Sequence, residues 1–342
     1  MNMSDHHEDE TSERLNVMLH QEETIYRCRD YFALEYDKAL EHINQVGSPP
    51  LCFAEECAML TSNLPVIRDT ITSTQKALSS PNELGSKIHD NREYSPSCIV
   101  IREDGVGTTH LVRWRAQMCA WAYRVVETFG MNRSIVAIAF NFLDRYLSKE
   151  YVPEFPFTKE EFQLLCMSSL SLAAKTHGMT NQSISIFAMT DMSYGLFSVL
   201  DFEETELHML DVLQWRMSPP IPCCFLTEFW RNWRGKPLTF QWVSRSRALL
   251  DSSVVDAYFV QHRPSQVAVA ALLVVGRQLG ILKSDIKRFC VSVQDIVDVN
   301  DSRVIDICDR LIAASQREKA TTTGLHPNYY HGLSYTDTSI RI

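Results

Sequence analysis

No apolar run in this chain is long enough to cross a bilayer. The longest, VAVAALLVVG at 267–276, is closed by Arg277 and is about half the ~20 residues a spanning helix needs. It reads as a core helix. The ten cysteines include no CxxC pair and no zinc-like Cys/His spacing, so they fit reduced thiols used as small buried apolar side chains rather than a disulfide framework or a metal site. No Lys/Arg run is present and the net charge is -9. Without a basic surplus there is nothing to displace phosphate counterions, which argues against a nucleic-acid binder and for protein partners. Catalytic signatures are missing too: no GxSxG, HExxH or P-loop, and none of the His-Arg-Asp and Asp-Phe-Gly elements of a phosphotransferase. The glycines of DGVG at 104–107 are not followed by Lys-Ser/Thr, so they make no phosphate loop. The chain is therefore not expected to be an enzyme, and it calls for no cofactor and no metal. The polar, acidic start MNMSDHHEDETSERLN is neither a signal peptide nor an anchor. Two sequons, at Asn132 and Asn181, stand where helices should begin and read as N-caps or turn residues.

What the sequence does contain is ordinary globular composition, 45% hydrophobic and 22% charged over 342 residues, enough for one large or two ordinary domains. Residues 1–22 are expected to form a disordered acidic leader, too polar to offset chain entropy. Residues 23–107 read as a helical extension and linker. In it, two helical patterns flank the breaker GSPP at 47–50 and run into SPNELGSKIHDNREYSPSCIVIREDGVG. Helical segments then recur at about 109–129, 133–148, 158–176, 183–190 and 199–214, and MSPPIPCCF breaks the pattern with three prolines. A second group follows at about 224–233, 240–261, 264–279, 285–297 and 302–317. Five helices, a proline break and five more predict an all-α internal duplication. The boundaries are 108–216 for the first half, 217–316 for the second and 317–342 for a tail.

Four charges sit on apolar stripes. At about 100° per residue, Val136, Phe140, Leu143 and Leu147 share a face and Asp144 lies on its flank. Arg115 stands mid-stripe among Leu111, Met118, Cys119, Ala122 and Val126. Glu206 falls among Phe202, Met209, Leu210 and Leu213, and Lys175 closes LLCMSSLSLAAK, which is apolar nearly all round and so predicts a central helix. A charge at a helix edge is often solvated or snorkelling, whereas a buried one needs a partner. Periodicity alone does not say which charge meets which.

LVRWRAQMCAWAYRVVETFGMNRSIVAIAFNFLDRYLS, followed by LSLAAK and ETELHMLDVLQWRMSPPIPCCFL, resembles the N-terminal box of cyclins, the regulatory subunits of cyclin-dependent kinases. The signature positions of that box are present as Arg115, Asp144, Leu147, Lys175 and Glu206. LLDSSVVDAYFVQHRPSQVAVAALLVV resembles the second and third helices of the C-terminal cyclin fold, so the likeness covers roughly 108–316. It implies two tandem five-helix cyclin folds behind a partly disordered, partly helical N-terminal extension. It implies that Arg115 and Asp144 pair inside the box. Lys175 and Glu206 should point outward, unpaired until a kinase arrives, with Leu172 and Leu210 beside them on the same interface. The partner is then a cyclin-dependent serine/threonine kinase, with kinase substrates or inhibitors as further partners and neither nucleic acid nor membrane. The expected function is kinase activation in cell-cycle control, in nucleus and cytoplasm. The alternative is a transcription-type cyclin or a noncatalytic scaffold of the same fold.

Departures from the family pattern are specific. Thr176, His177 and Gly178 stand where relatives commonly carry an aromatic residue and two glutamates. The family's substrate-docking patch appears as WRAQM with Trp121. Trp114, Met118 and Trp121 are thus either an apolar docking groove or plain core packing, with Gln117 in place of an apolar residue. PLCFAEE at 50–56 lacks the Leu-x-Cys-x-Glu spacing that binds pocket proteins in D-type cyclins. RALL at 247–250 falls within a helix and makes a poor degron. Ser48, Ser80 and Ser95 each precede proline in the leader and are candidate phosphosites, because proline disfavours helix in the residue before it. Ser218 also precedes proline but lies in the short connector, where less access is expected.

Overall fold

The computed structural model describes residues 3–29, 31–32, 110–151, 157–179, 184–233 and 240–322. The described residues contain helices and no strand. The first helix, α1, spans Met3–Glu23, which corrects the expectation of a disordered leader. Leu15 reaches the core of the second half, so one buried leucine and the contacts of Glu22 described below anchor a sequence that is otherwise polar. The extension and linker beyond residue 32, with Ser48, Ser80 and Ser95, lie outside the described residues, as does Asn181.

The first five-helix set is α2 (His110–Thr128), α3 (Ser134–Glu150), α4 (Lys159–His177), α5 (Ile186–Met192) and α6 (Val199–Val212). Helix starts follow local chemistry. Thr158 and Glu161 form a reciprocal capping box on α4, Ser198 and Asp201 form another on α6, and the Ser185 hydroxyl accepts from the Ala188 amide on α5. Each satisfies amides that a first helical turn leaves open. Asn132 is a turn residue, its Oδ1 accepting the Ser134 amide at 2.9 Å one place before the cap position. Helix α4 packs against α2, α3, α5 and α6 and is buried on nearly every side from Phe162 to Ala174. That is why its sequence carries no polar face.

The second set repeats the plan with α7 (Pro222–Asn232), α8 (Phe240–Val255), α9 (Pro264–Gln278), α10 (Lys283–Val293) and α11 (Ser302–Thr322). A 3-10 turn at Ala257–Gln261 ends the predicted 240–261 helix early, with the Asp256 carboxylate accepting the Tyr258 amide. Pro222 and Pro264 open α7 and α9 at positions where the missing amide is harmless. The central helix is α9, packed on α7, α8 and α11. The Trp242 indole N–H donates to the Leu272 carbonyl at 2.7 Å. A Cβ built at Gly276 would lie 2.9 Å from that indole ring, so only glycine admits the tryptophan.

Candidate functional site

The buried carboxylate of α3 has three donors. Arg115 Nε donates to Asp144 Oδ1 at 2.9 Å and Arg115 Nη2 to Oδ2 at 2.8 Å, the two-pronged geometry that fixes helix register. Tyr31 Oη donates to Oδ1 at 2.7 Å. The remaining Arg115 amino group, Nη1, donates to the Val254 carbonyl at 2.7 Å, at the C-terminal end of α8, where the helix dipole favours a cation. One guanidinium therefore neutralises the first half's carboxylate and docks the second half onto it. Burial alone would favour loss of the proton, but the Asp144 carboxylate outweighs it and holds Arg115 well above the ordinary arginine range. Desolvation pushes Tyr31 up as well, with Asp144 adding to the effect. The sequence pointed to Arg115 and Asp144; Tyr31 and the link to α8 carried no periodic signal.

Lys175 and Glu206 meet across α4 and α6, with Lys175 Nζ donating to Glu206 Oε1 at 2.8 Å and Oε2 at 2.6 Å. This corrects the expectation that each is unpaired in the free chain. Lys175 ends α4 and Glu206 lies mid-helix on α6, and packing of α4 on α6 brings the two ends of the charge together. The lysine side chain is 40% exposed and the glutamate 10%, so the pair sits at the rim of the helical core. Leu210 is half-buried beside it, whereas Leu172 is 4% exposed and faces the core. Leu172 therefore supports the face from beneath rather than forming its surface. What sequence reasoning missed is the exposed apolar surface nearby: Leu207 (63% exposed) and Leu200 on α6, and Met179 just past α4. A leucine beyond the buried stripe looks the same in sequence whether it is solvated or kept for a partner.

His177, at the departure from the family pattern, turns away from this rim, with Nε2 at 2.6 Å from the Met217 carbonyl. Trp114, Met118 and Trp121 are all buried in the first core, with the Trp114 ring 5.9 Å from Phe162 of α4. Of the two readings these residues allowed, the structure gives core packing. The three side chains are at most 8% exposed, so they offer little apolar surface for a docking groove in the free chain. Ser218 is exposed, contrary to expectation, with its amide donating to the Tyr26 hydroxyl at 3.3 Å, although Pro219 and Pro220 after it are buried.

Among the described residues, no group of His, Cys, Asp and Glu has the arrangement of a metal site, and no helix is long and apolar enough to cross a membrane. Burial pushes the thiols of Cys119 and Cys223 up to about 12, so neither is a thiolate nucleophile at neutral pH. The buried Arg115–Asp144 pair serves packing within and between the two halves.

Comparison with known proteins agrees with this architecture. The model of the cyclin N-terminal domain matches residues 87–218 and that of the cyclin C-terminal domain residues 220–332. Cyclin-D3-3 of Arabidopsis thaliana is 29% identical over 171 residues, 49% of this chain and 46% of its own length. Cyclin-D4-2 of Oryza sativa subsp. japonica is 28% identical over 222 residues, 63% of this chain and 54% of its own. The chain thus spans about half the length of the curated relatives it matches. The X-ray structure of a viral cyclin from herpesvirus saimiri aligns with a TM-score of 0.49 at 17% identity, covering 59% of this chain and 86% of the viral one. With both halves matched in order by models of one family, and with Arg115 and Asp144 paired as that family's pattern implies, the chain belongs to the cyclin family.

Proposed function

We propose that this chain binds a cyclin-dependent serine/threonine kinase and activates it in cell-cycle control, acting in nucleus and cytoplasm as a regulatory subunit without catalysis of its own. The observation that carries the reading is the Lys175–Glu206 pair, set at the rim of the first half beside the exposed Leu207. Lys175 has three donor hydrogens and Glu206 four lone-pair directions, while their mutual contacts use two of each. Each retains capacity to bond a partner's backbone without breaking the pair. The internal bond holds both side chains in place beforehand, which lowers the rotamer entropy lost on binding.

Activation in this reading is a shift of population. The kinase's regulatory helix packs against α4 and α6 in its inward position, where its glutamate pairs with the lysine that orients ATP phosphates. Moving that equilibrium from 1:99 to 99:1 requires about 5.5 kcal/mol of differential affinity. Two polar contacts to charged groups contribute roughly 1.5–3 kcal/mol each, and covering an exposed leucine about 1.5–3 kcal/mol. Leu207 with the pair therefore reaches the required magnitude before the cost of association. Capturing kinases with the full chain as bait, in parallel with a Lys175→Ala/Glu206→Ala bait, tests the proposal. A cyclin-dependent kinase held by the first bait, activated by it and absent from the second is expected. Equal recovery on a folded double variant would refute the assignment of the face, and no kinase on either would refute the function.

A further inference from the structure

The segment that follows α1 crosses a cleft of about 1070 Å³ between the two halves, bounded by α3 and by the start of α9. Its described walls carry seven arginine or lysine side chains and four carboxylates. All four carboxylates are engaged. Glu22 accepts the Ser265 amide at 2.9 Å and hydroxyl at 2.6 Å, and Glu23 pairs with Arg263 at 2.7 Å. Asp144 takes Arg115 and Tyr31, and Asp256 takes Arg310 at 2.6 Å. Arg27, Arg29, Arg145 and Lys149 have no carboxylate among the described residues. Arg145 is the informative one. It is 3% exposed, yet its contacts are the Arg216 carbonyl at 2.8 Å, a long one to the Leu213 carbonyl at 3.5 Å and the face of the Tyr26 ring at 4.6 Å. Lys149, one turn on, reaches only the Val212 carbonyl, at 2.6 Å.

The Leu213 and Val212 carbonyls that Arg145 and Lys149 reach end α6, so the helix dipole offsets part of their charge. A guanidinium taken out of water with no full counter-charge nonetheless remains costly, and desolvation holds Arg145 below the ordinary arginine range. A chain of net charge -9 does not lack carboxylates for such a position, so a positive hollow here points to an anion brought from outside. We propose that the cleft between the two halves is a docking site for a phosphorylated protein segment, its phosphoserine or phosphothreonine seated on Arg145 and Lys149 and flanked by Arg27 and Arg29. Guanidinium forks match the oxygens of a phosphate two at a time. The cleft is far larger than one phosphate, leaving room for the residues on either side. A free nucleotide is a poorer fit, because, of the aromatic rings lining the cleft, Tyr26 already lies under Arg145, Phe140 lies under Arg115 and Phe259 is buried. This inference does not depend on kinase binding, which is assigned to the Lys175–Glu206 rim rather than to the cleft.

The test uses the full chain and two immobilised peptide libraries, degenerate except for a central phosphoserine or an unmodified serine. The wild-type chain should be retained by the phosphorylated library alone. The Lys149→Gln and Arg27→Gln variants alter exposed side chains and should melt with wild type, while each weakens retention about tenfold. Equal retention on both libraries, or retention unchanged in variants that melt normally, would overturn the proposal. So would a melting shift produced by inorganic phosphate or ATP with no retention by the peptides, which would mark the cleft as a small-anion site.

Discussion

Replacing Arg115 with alanine removes three donors at once. The Asp144 carboxylate, buried in the core, keeps only the Tyr31 hydroxyl, and the Val254 carbonyl loses its 2.7 Å partner. Breaking a buried pair from one side costs about 3–5 kcal/mol. For an aspartate there is a ceiling, because the carboxyl can take up a proton instead of remaining charged. A free aspartate binds its proton near pH 3.9, and each pH unit is worth about 1.4 kcal/mol, so enforced protonation costs about 4 kcal/mol at pH 7 and about 1.5 at pH 5. The sign follows. In the variant the folded state holds the proton more tightly than the unfolded state, so stability is lost as pH rises and regained as it falls. Adding roughly 1–3 kcal/mol for the orphaned carbonyl gives a total of about 5–7 kcal/mol at pH 7, comparable with the whole stability of a typical domain. Urea denaturation of wild type and variant at pH 7 and pH 5 should show a gap that narrows by about 2–3 kcal/mol on acidification. Asp144→Asn gives the contrast: Arg115 cannot shed its charge, so the loss should be the same at both pH values. Coincident unfolding curves, or a gap for Arg115→Ala that ignores pH, would refute the burial argument.

Tyr31→Phe, which leaves the ion pair intact, should lower stability by about 1–2 kcal/mol, read as a shift in denaturation midpoint at constant slope; no shift would mean that the N-terminal segment does not anchor Asp144. Gly276→Ala forces a methyl against the Trp242 ring and should cost about 1–3 kcal/mol. Its tryptophan fluorescence should change while kinase capture at matched folded fraction does not. Lys175→Ala leaves Glu206 without its cation, but the lysine is substantially exposed, so the stability loss should stay near or below about 1 kcal/mol while kinase binding falls by tenfold or more; a large unfolding effect would make the pair structural instead. Incubation with an active proline-directed kinase and ATP, followed by phosphosite mapping, should place phosphate on Ser48, Ser80 or Ser95 in preference to Ser218, whose following prolines are buried.

Helix periodicity made much of this fold legible, because each five-helix set surrounds one helix that is apolar on all sides, α4 or α9, and such helices announce themselves in sequence. Proline breaks and caps located the boundaries to within a few residues. The leader was misread since its composition is that of a solvated chain. What holds it is a few specific contacts, Leu15 in the second core and Glu22 at the start of α9, and neither has a periodic signature. The ion pair Arg115–Asp144 was legible because two opposite charges on buried stripes must be neutralised. Lys175–Glu206 was located but its internal bond was not, since a spacing of 31 residues says nothing about side-chain reach across two packed helices. Trp114, Met118 and Trp121 fitted a groove and a core equally well in sequence, and only their burial in the structure favours the core. Arg145 drew no notice, because an arginine in a polar-looking register is ordinary until its burial and its lack of a carboxylate are seen together.

Hydrogen–deuterium exchange of the full chain, alone and with its captured kinase, tests the central claim most directly by showing which amides the partner covers. Slowed exchange over the end of α4 and the middle of α6, around Lys175 and Glu206–Leu210, with α9 to α11 unchanged, is the expected result. Protection confined to the second half, with the α4 and α6 amides exchanging as in the free chain, would contradict it.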